Sequence, residues 1–461
     1  MPRKSSILYQ NPQQTAFLID VPASIEWAQL PSLSPRNDHD NSYRQLLSSK
    51  PLEKPYPSPP EPKSQAARAR LLARIPQSEI LFHENIAPFI RGGLDGIKNG
   101  FQGVNWCKPR RIHSVDRGDN EEGYIKPKGL LREQKGPVPS PPPRKRMKQV
   151  KNSYDERNLV DFVENTTQQQ PPLILSPSGA NEFLGLSEVR GVQVKNPSHL
   201  EPAIIQFRES DTGDERMNYA IPPGSSFVLD TISSTTNQTY AHLDISPVIP
   251  GLRPLDKFNF LLFDPPWPNR SVRRSSQYPT HGYLEIDSLI TIVQRTILTH
   301  LNFSDETNEA IVGIWTTNNA KSRQAAYTAF ENTDLEVCEI WIWIKTTEGG
   351  ELVSPLDGLW RKPYEVLFLG RPEKKKDGKG IQIQKEPLKR IIAAVPDEHS
   401  RKPNLKELLE TLFFPMDQYK AQEQQQHYTA LEVFARNLTA GWCACGNDVL
   451  RFNADKWWFR L

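Results

Sequence analysis

Long apolar segments are missing from this sequence of 461 residues. No run approaches the roughly 20 apolar residues of a membrane-spanning helix. The polar start, MPRKSSILYQNPQQ, lacks the apolar core of a secretory signal. Hydrophobic residues make up only 37% of the chain, against a usual share of about 45–50%. We therefore expect no membrane partner, and one sizeable domain with long irregular segments.

Paired cysteines are also missing. The four cysteines, Cys107, Cys338, Cys443 and Cys445, form no CxxC pair and have no paired histidines at zinc spacing. We expect free thiols in a reducing compartment and no bound metal.

Several common enzyme signatures are absent. The sequence has no GxxxxGKS/T phosphate loop, no GxSxG elbow, no HExxH motif and no GxGxxG after a predicted strand. NTPases, dehydrogenases and zinc hydrolases are therefore disfavoured. The net charge is only +3, so any basic surface for nucleic acid must be local.

Proline is in excess, with 41 of the 461 residues, or about 9%, against a usual share of about 5%. Residues 1–65 are Pro-rich and predicted to be mostly disordered, with a docking island near 17–29 that reads as strand, turn and helix. Residues 66–170 are predicted to be a helix followed by a basic and Pro-rich linker. Residues 171–461 are predicted to form an α/β domain.

A basic cluster, Arg144–Lys148, follows a run of prolines. Such a cluster is typical of a nuclear import signal or a nucleic-acid tail, and a solvated linker is the plain alternative. We expect a nuclear location, with the cytoplasm as the alternative.

Apolar strands alternate with helical patterns after residue 171. An apolar strand, Phe258–Phe263, is followed by the helical spacing of Leu284–Leu301 and by a further strand, Ala310–Trp315. This alternation predicts an α/β sheet with helices on both faces. Ligands of such sheets bind beyond the carboxyl ends of strands, which is where the pattern places Asp230, Asp264, Thr316 and Arg436.

Asp264, Pro265, Pro266 and Trp267 form the most informative motif and are the predicted catalytic residues. A carboxylate at a strand end is followed by two prolines, which lack N–H groups, so their carbonyls are expected to be free of competing donors. The indole offers a stacking face. Together these groups could hold the amino group and ring of a flat heterocycle; the alternative is a turn capped by Asp264 before a buried tryptophan.

The DPPW turn and several further motifs resemble those of the MT-A70 family of adenine-N6 methyltransferases. The resemblance covers about residues 220–455 and is closest to the methyltransferase-like-four branch. It is carried by Pro268–Ser275, Trp341–Lys345, Pro355–Asp357, Arg361–Glu365, Leu369–Arg371, Ser400–Pro403, Phe434–Asn437, Gly441–Trp442 and Gly446–Asn447.

The resemblance implies a Rossmann-like fold with permuted motif order, preceded by a largely irregular N-terminal region, and S-adenosylmethionine as methyl donor. It implies that Asp230 and Thr231 line the donor's adenine and amine end, and that Lys402 lies near its carboxylate. Some relatives have glutamine where this chain has Asp448. The implied donor-binding residues are Asp230, Thr231, Asp264, Lys402, Arg436, Asn437, Asn447 and Asp448.

Arginines and an aromatic residue directly follow the DPPW turn, a composition that suits phosphates and bases; an ordinary basic loop is the alternative. The predicted substrate-binding residues are Asn269, Arg270, Ser271, Arg273, Arg274, Tyr278, Lys345, Arg361 and Lys362.

The predicted function is S-adenosylmethionine-dependent N6 methylation of adenine in RNA. The alternatives are the same reaction on DNA, and a catalytically silent nucleic-acid-binding partner of a related methyltransferase. We expect a monomer or a loose complex with an unknown protein partner.

Overall fold

The structure is a computed structural model that describes residues 4–31, 44–57, 61–62, 64–113, 170–208, 217–232, 248–268, 284–303, 310–359, 361–372, 386–415 and 428–460. Within these ranges the α-helices are α1 Val21–Ala28, α2 Gln65–Leu72, α3 Gln77–Gly100, α4 Ile286–His300, α5 Ala320–Glu331 and α6 Lys406–Leu412. None of these helices is both long and apolar enough to cross a membrane.

The strands, in chain order, are β1 Ile7–Gln10, β2 Ala16–Ile19, β3 Arg44–Ser48, β4 Arg111–Ile112, β5 Leu173–Ile174, β6 Asn181–Phe183, β7 Gln193–Lys195, β8 Ala203–Phe207, β9 Met217–Ile221, β10 Ser226–Leu229, β11 Phe260–Phe263, β12 Ile311–Thr316, β13 Leu335–Lys345, β14 Tyr364–Pro372, β15 Leu388–Ala394, β16 Ala430–Val433, β17 Cys443–Gly446 and β18 Trp458–Arg460.

Twelve strands form the central sheet, in the order β1-β2-β15-β13-β14-β12-β11-β16-β17-β10-β7-β5. The neighbours β12, β11, β16, β17 and β10 run parallel, while β14 is antiparallel to both β12 and β13. The strand before the DPPW turn, β11, precedes β16 and β17 along the chain. The predicted α/β class with an irregular N-terminal region is confirmed.

Helices cover both faces of this sheet. Alternate residues of β11 enter different apolar clusters: Leu261 and Phe263 pack with α3, α4 and α5, whereas Phe260 and Leu262 pack with α1 and α6. Successive strand residues point to opposite faces, so the two clusters lie on opposite sides of the sheet. Two smaller sheets, β18-β3-β4 and β6-β8-β9, complete the described structure.

Two N-terminal strands extend the central sheet beyond the predicted domain. β1 pairs with β2, and β2 pairs in parallel with β15. The prediction started the α/β domain at residue 171; the structure adds this edge because Phe17 and Leu18 bury on opposite faces, one in each cluster. The strand, turn and helix expected within 17–29 correspond to β2 and α1, and Asp20 caps α1 by accepting the Ala23 N–H at 2.8 Å.

The long helix α3 was not predicted. Its buried side chains, Ile86, Ile90, Leu94 and Ile97, follow helical spacing, and that spacing was the available signal. The internal Pro88 counted against a continuous helix here, because proline normally ends or kinks a helix. The basic cluster Arg144–Lys148 lies outside the described residues.

Candidate active site

The carboxyl ends of neighbouring parallel strands bring predicted site residues to one edge of the sheet. Asp264 directly follows β11, and Arg436 follows β16 within three residues. The register pairs Phe263 with Val433 across these two strands. From β11 the chain continues to β12 on one side, whereas β16 leads to β17 on the other. Such a reversal is the topological switch point at which α/β sheets bind ligands.

Four charged side chains form a chain across this edge. Lys402 Nζ lies 3.5 Å from Asp264 Oδ1 and donates a hydrogen bond to Glu365 Oε2. The other oxygen of Glu365 accepts a 2.6 Å hydrogen bond from Lys345 Nζ. Lys402 therefore lies between two carboxylates, and Glu365 between two ammonium groups.

The electrostatics of this chain favour its charged form. Burial by itself would raise the pKa of Glu365, but the charges of Lys402 and Lys345 and their hydrogen bonds hold that pKa well below its ordinary value. Burial would likewise lower the pKa of Lys402, but Asp264 and Glu365 raise it. Lys402 is thus a fixed positive charge at the edge of the sheet.

Two tryptophans flank the Lys402 ammonium. Its Nζ lies 4.8 Å from the ring centroid of Trp315 and 5.7 Å from that of Trp343. The two rings meet edge to face, with centroids 6.2 Å apart. Cation–π attraction over these distances adds to the stability of the charged lysine.

The DPPW turn differs from its predicted arrangement. The Pro265 carbonyl accepts a 2.8 Å hydrogen bond from the Trp267 N–H, so it does have a competing donor. The Trp267 indole is only 9% exposed and donates from Nε1 to the Trp315 carbonyl at 2.7 Å. The stacking face expected of Trp267 is therefore packed in the core, and Pro266 is exposed at the surface. Asp264 provides the accessible acceptor of the turn.

Asp264 opens into a cleft of about 440 Å³, a volume that includes its solvent-filled mouth. Arg436 Nη1 donates to the Ser400 carbonyl at 3.3 Å on its wall. The Asn437 side-chain nitrogen is buried and has no hydrogen-bond partner within the described parts of the chain. The lining residues are Leu262, Asp264, Trp315, Ser400, Lys402, Pro403, Asn404, Leu405, Glu432, Arg436, Asn437 and Trp442.

Glu432 places a second carboxyl group in this cleft. Burial raises its pKa to about 8; the nearby Asp264 adds to this shift, and Arg436 opposes it. At neutral pH Glu432 is therefore mainly a neutral acid, which avoids a second negative charge beside Asp264. The sequence prediction missed both Glu432 and Glu365. The available signal was a glutamate inside an apolar strand: Ala430–Val433 reads ALEV, and β14 begins Tyr-Glu-Val-Leu-Phe.

The predicted residues Asp230 and Thr231 lie farther along the same edge, after β10. Asp230 Oδ1 accepts the Thr231 N–H at 2.7 Å and lies 3.7 Å from Arg190 Nη1. Three strand spacings separate β10 from β11, or about 14 Å at about 4.8 Å per spacing. Asp230 and Asp264 therefore mark two ends of one extended edge.

Asn447 and Asp448 follow β17, between those two ends, and both are exposed. The Asp448 carboxylate lies 3.7 Å from Arg451 Nη1. Gly446, just before them, has φ +150°, and a Cβ there would lie 3.3 Å from Phe434 Cα. Glycine therefore lets the ends of β16 and β17 approach closely.

The predicted substrate residues are divided among three settings. Lys345 belongs to the charge chain through Glu365. Arg361 is exposed, whereas Lys362 Nζ donates to the Leu356 carbonyl of its own loop at 3.2 Å, and burial lowers the pKa of Lys362. Asn269, Arg270, Ser271, Arg273, Arg274 and Tyr278 lie outside the described residues.

In the part of the chain that the structure describes, no group of three or more His, Cys, Asp or Glu side chains could hold a metal ion. The functional groups that this edge presents are the carboxylate of Asp264, the ammonium of Lys402 and the neutral acid Glu432.

Comparison with known proteins places this site in a family. The MT-A70 family model matches residues 258–448, which include β11, β16 and β17. The N6-methyladenosine RNA methyltransferase MTA1 of Cryphonectria parasitica is 32% identical over 52% of this chain and 62% of its own length. The protein of the same name from Pyricularia oryzae is 26% identical over 98% of this chain and 96% of its own.

The mouse N(6)-adenine-specific methyltransferase METTL4 is 33% identical over 53% of this chain and 45% of its own length. The chain thus spans less than two thirds of the Cryphonectria and mouse relatives that it matches. The segment 258–448 belongs to the MT-A70 family of S-adenosylmethionine-dependent methyltransferases, near its METTL4 members.

Proposed function

We propose that this protein is an S-adenosylmethionine-dependent methyltransferase that acts on the N6 amine of adenine in RNA. The observation that carries the proposal is the Asp264 carboxylate at the switch point of the sheet, held 3.5 Å from the Lys402 ammonium. RNA is favoured because the two MTA1 relatives are named as RNA methyltransferases.

The residues of the cleft suit the methyl donor. Its amino-acid carboxylate would meet the positive charge of Lys402, and a hydroxyl of its ribose would accept from the buried Asn437 nitrogen, which has no partner within the described residues. Asp264 and Arg436 are the other two cleft residues that we expect to contact S-adenosylmethionine. When bound, S-adenosylmethionine would supply a methyl group already activated by its sulfonium centre.

Asp264 is the proposed acceptor for the adenine amine. The lone pair of that nitrogen is delocalised into the ring, which makes it a poor nucleophile. A hydrogen bond from the amine N–H to Asp264 Oδ would favour a pyramidal nitrogen and aim its lone pair. The amine proton becomes acidic on alkylation and can then pass to Asp264 or to solvent, so a strong base is not required.

Lys402 and Glu365 keep the Asp264 carboxylate oriented. The Lys402 ammonium has three N–H groups. One donates to Glu365 and another faces Asp264, which leaves the third for the carboxylate of S-adenosylmethionine. The neutral Glu432 adds no charge that would repel Asp264. Because the base must reach the sheet edge, the adenine has to be unstacked or single-stranded.

The decisive experiment incubates the full-length protein with labelled S-adenosylmethionine and matched RNA and DNA oligonucleotides. Nucleoside mass spectrometry then identifies the modified base and its sugar. N6-methyladenosine from RNA is the expected product. N6-methyldeoxyadenosine alone would favour the DNA alternative, and a methylated base other than adenine would overturn the proposal.

A catalytically silent nucleic-acid-binding partner is the second candidate. The close grouping of Asp264, Lys402 and Asn437 around one cleft counts against it, because a silent subunit has no need of a donor site. Calorimetry with S-adenosylmethionine separates the two: absence of binding by the full-length protein would favour the silent partner.

We also propose a nuclear location, on the basis of Arg144–Lys148, and a monomer or loose complex as the working assembly. A fluorescent fusion in which these five residues are replaced by alanine should lose nuclear enrichment; unchanged distribution would remove this cluster as the signal.

A further inference from the structure

A buried charge network joins the N-terminal region to the turn that carries Lys402. Asp397 lies between β15 and that turn, with a side chain that has no exposed surface. Its Oδ1 accepts the Ser49 N–H at 2.8 Å, and its Oδ2 accepts from Arg401 Nη1 at 2.6 Å. Arg110 Nη1 lies 3.8 Å from Asp397 Oδ1 and is likewise buried. Arg110 and Ser49 both belong to segments that the sequence prediction placed outside the α/β domain.

Arg110 also holds the backbone that leads from β15 to the turn. Its guanidinium donates to the carbonyls of Val395 and Pro396, each at 2.8 Å, and to that of Ser49 at 3.2 Å. One side chain from the N-terminal region therefore fixes two consecutive carbonyls just before Asp397. A planar guanidinium is suited to such a fork because its donors have fixed directions.

Arg401 and Lys402 are adjacent but take part in different contacts. The Arg401 guanidinium donates to the Leu47 carbonyl at 3.0 Å and lies 4.4 Å from the Phe452 ring centroid. Lys402 contacts Asp264 and Glu365 instead. Fixing Arg401 in the network therefore fixes the backbone from which Lys402 reaches the cleft.

The turn itself is strained. Ser400 has φ +72°, a left-handed conformation that costs a non-glycine residue of order 1 kcal/mol or more. Such a conformation persists only when surrounding contacts over-determine it. Arg436 holds the Ser400 carbonyl from the cleft side, and the Asp397–Arg401 pair holds the following residue from the core side.

We infer that Arg110, Asp397 and Arg401 are positioning residues for the donor site. They hold the Ser400–Lys402 turn so that the Lys402 ammonium meets Asp264 and the carboxylate of S-adenosylmethionine. This inference rests on the proposed function. It links the N-terminal segment to the donor site through Arg110, which is not itself one of the residues that line the cleft.

The chain offers a matched control near the other end of β15, the strand after which Arg110 binds two backbone carbonyls. Arg390, near the start of β15, forms an equivalent buried pair with Glu339, with Nε 2.7 Å from Oε2. It also donates to an N-terminal carbonyl, that of Gln14. Arg390 and Arg110 thus each link a buried carboxylate to the N-terminal region, but only Arg110 lies beside the turn of Lys402.

The test compares Arg110→Met with Arg390→Met in the full-length protein. Both variants are expected to lower the melting temperature. Only Arg110→Met should weaken S-adenosylmethionine binding in calorimetry, by about tenfold or more, while RNA affinity measured without donor stays unchanged. Arg110→Lys keeps the positive charge but lacks the paired N–H donors of the guanidinium, so it should show the same loss of S-adenosylmethionine affinity. It provides the comparison if Arg110→Met does not fold.

Wild-type donor affinity in folded Arg110→Met or Arg110→Lys would overturn the inference. So would an equal loss of donor affinity in Arg390→Met, because the effect would then be one of general stability. If the wild-type protein itself binds no S-adenosylmethionine, the proposed function fails instead, and the two failures are distinguishable.

Discussion

The Lys402 ammonium lies 3.5 Å from the Asp264 carboxylate, across the mouth of one cleft. Asp264 directly follows the strand β11, and Lys402 comes from a turn more than a hundred residues later. Their approach fixes a negative acceptor and a positive charge at the switch point of the sheet, and the following predictions depend on that pair and its neighbours.

Replacement of Asp264 by alanine should abolish methylation while the protein remains folded. The variant removes the acceptor for the adenine amine, and loss of one aligned polar group at a reacting centre costs about 10²-fold or more in rate. Methylation is measured by nucleoside mass spectrometry, with circular dichroism as the control for folding. Near wild-type methylation by the variant would contradict the proposed role of Asp264 as acceptor for the adenine amine.

Glu365→Gln should destabilise the protein and weaken donor binding. It leaves Lys402 and Lys345 without their shared carboxylate, and breaking a buried ion pair costs about 3–5 kcal/mol. The folded-state pKa of Glu365 is depressed, so its stabilisation is present above the unfolded value near 4.5 and is lost as pH falls below it.

Urea unfolding between pH 7 and pH 3 checks this prediction. The wild type should lose stability over the acid range, and Glu365→Gln should lose less of it. Identical acid slopes would show that Glu365 carries no such linkage.

Glu432→Gln should remove a loss of stability that occurs as the pH rises, whereas Glu365 governs a loss that occurs as the pH falls. The folded-state pKa of Glu432 is raised to about 8, so its neutral form favours folding at low pH. That contribution falls between pH 4.5 and about 8, by up to about 1.4 kcal/mol per pH unit. The glutamine variant mimics the neutral acid, so it should lack this slope and keep methylation activity to higher pH. If the wild type and Glu432→Gln lost stability and activity equally as the pH rises, the assignment of Glu432 as a neutral acid would be contradicted.

Asn437→Ala tests the fit of the donor in the cleft. The Asn437 nitrogen has no protein partner within the described residues, so its removal should change the melting temperature little. If it donates to S-adenosylmethionine, calorimetry should show a loss of about 1–3 kcal/mol in binding. A fall in stability with unchanged donor affinity would assign Asn437 a structural role instead.

Local patterns predicted the elements that surround the site. The apolar strand before Asp264 and the helical spacing that became α4 could be read directly, because each depends on residues close together in sequence. The pairing of Glu365 with Lys345 and Lys402 could not, because it depends on the register of β13 and β14 and on a distant turn. The burial of Trp267 was also hidden, since its indole bonds a carbonyl 48 residues away.

Gly446→Ala should damage the site through the backbone. At φ +150° an alanine is strained, and its Cβ would lie 3.3 Å from Phe434 Cα, in a backbone that cannot move without shifting the end of β16. We expect a loss of about 1–3 kcal/mol in the free energy of unfolding together with weaker donor binding. Gly349→Ala is the matched control, because its Cβ would meet only the Thr347 hydroxyl at 3.9 Å. Urea unfolding and calorimetry of both variants measure the effect, and equal behaviour of the two would show that Gly446 is not needed for the close approach of β16 and β17.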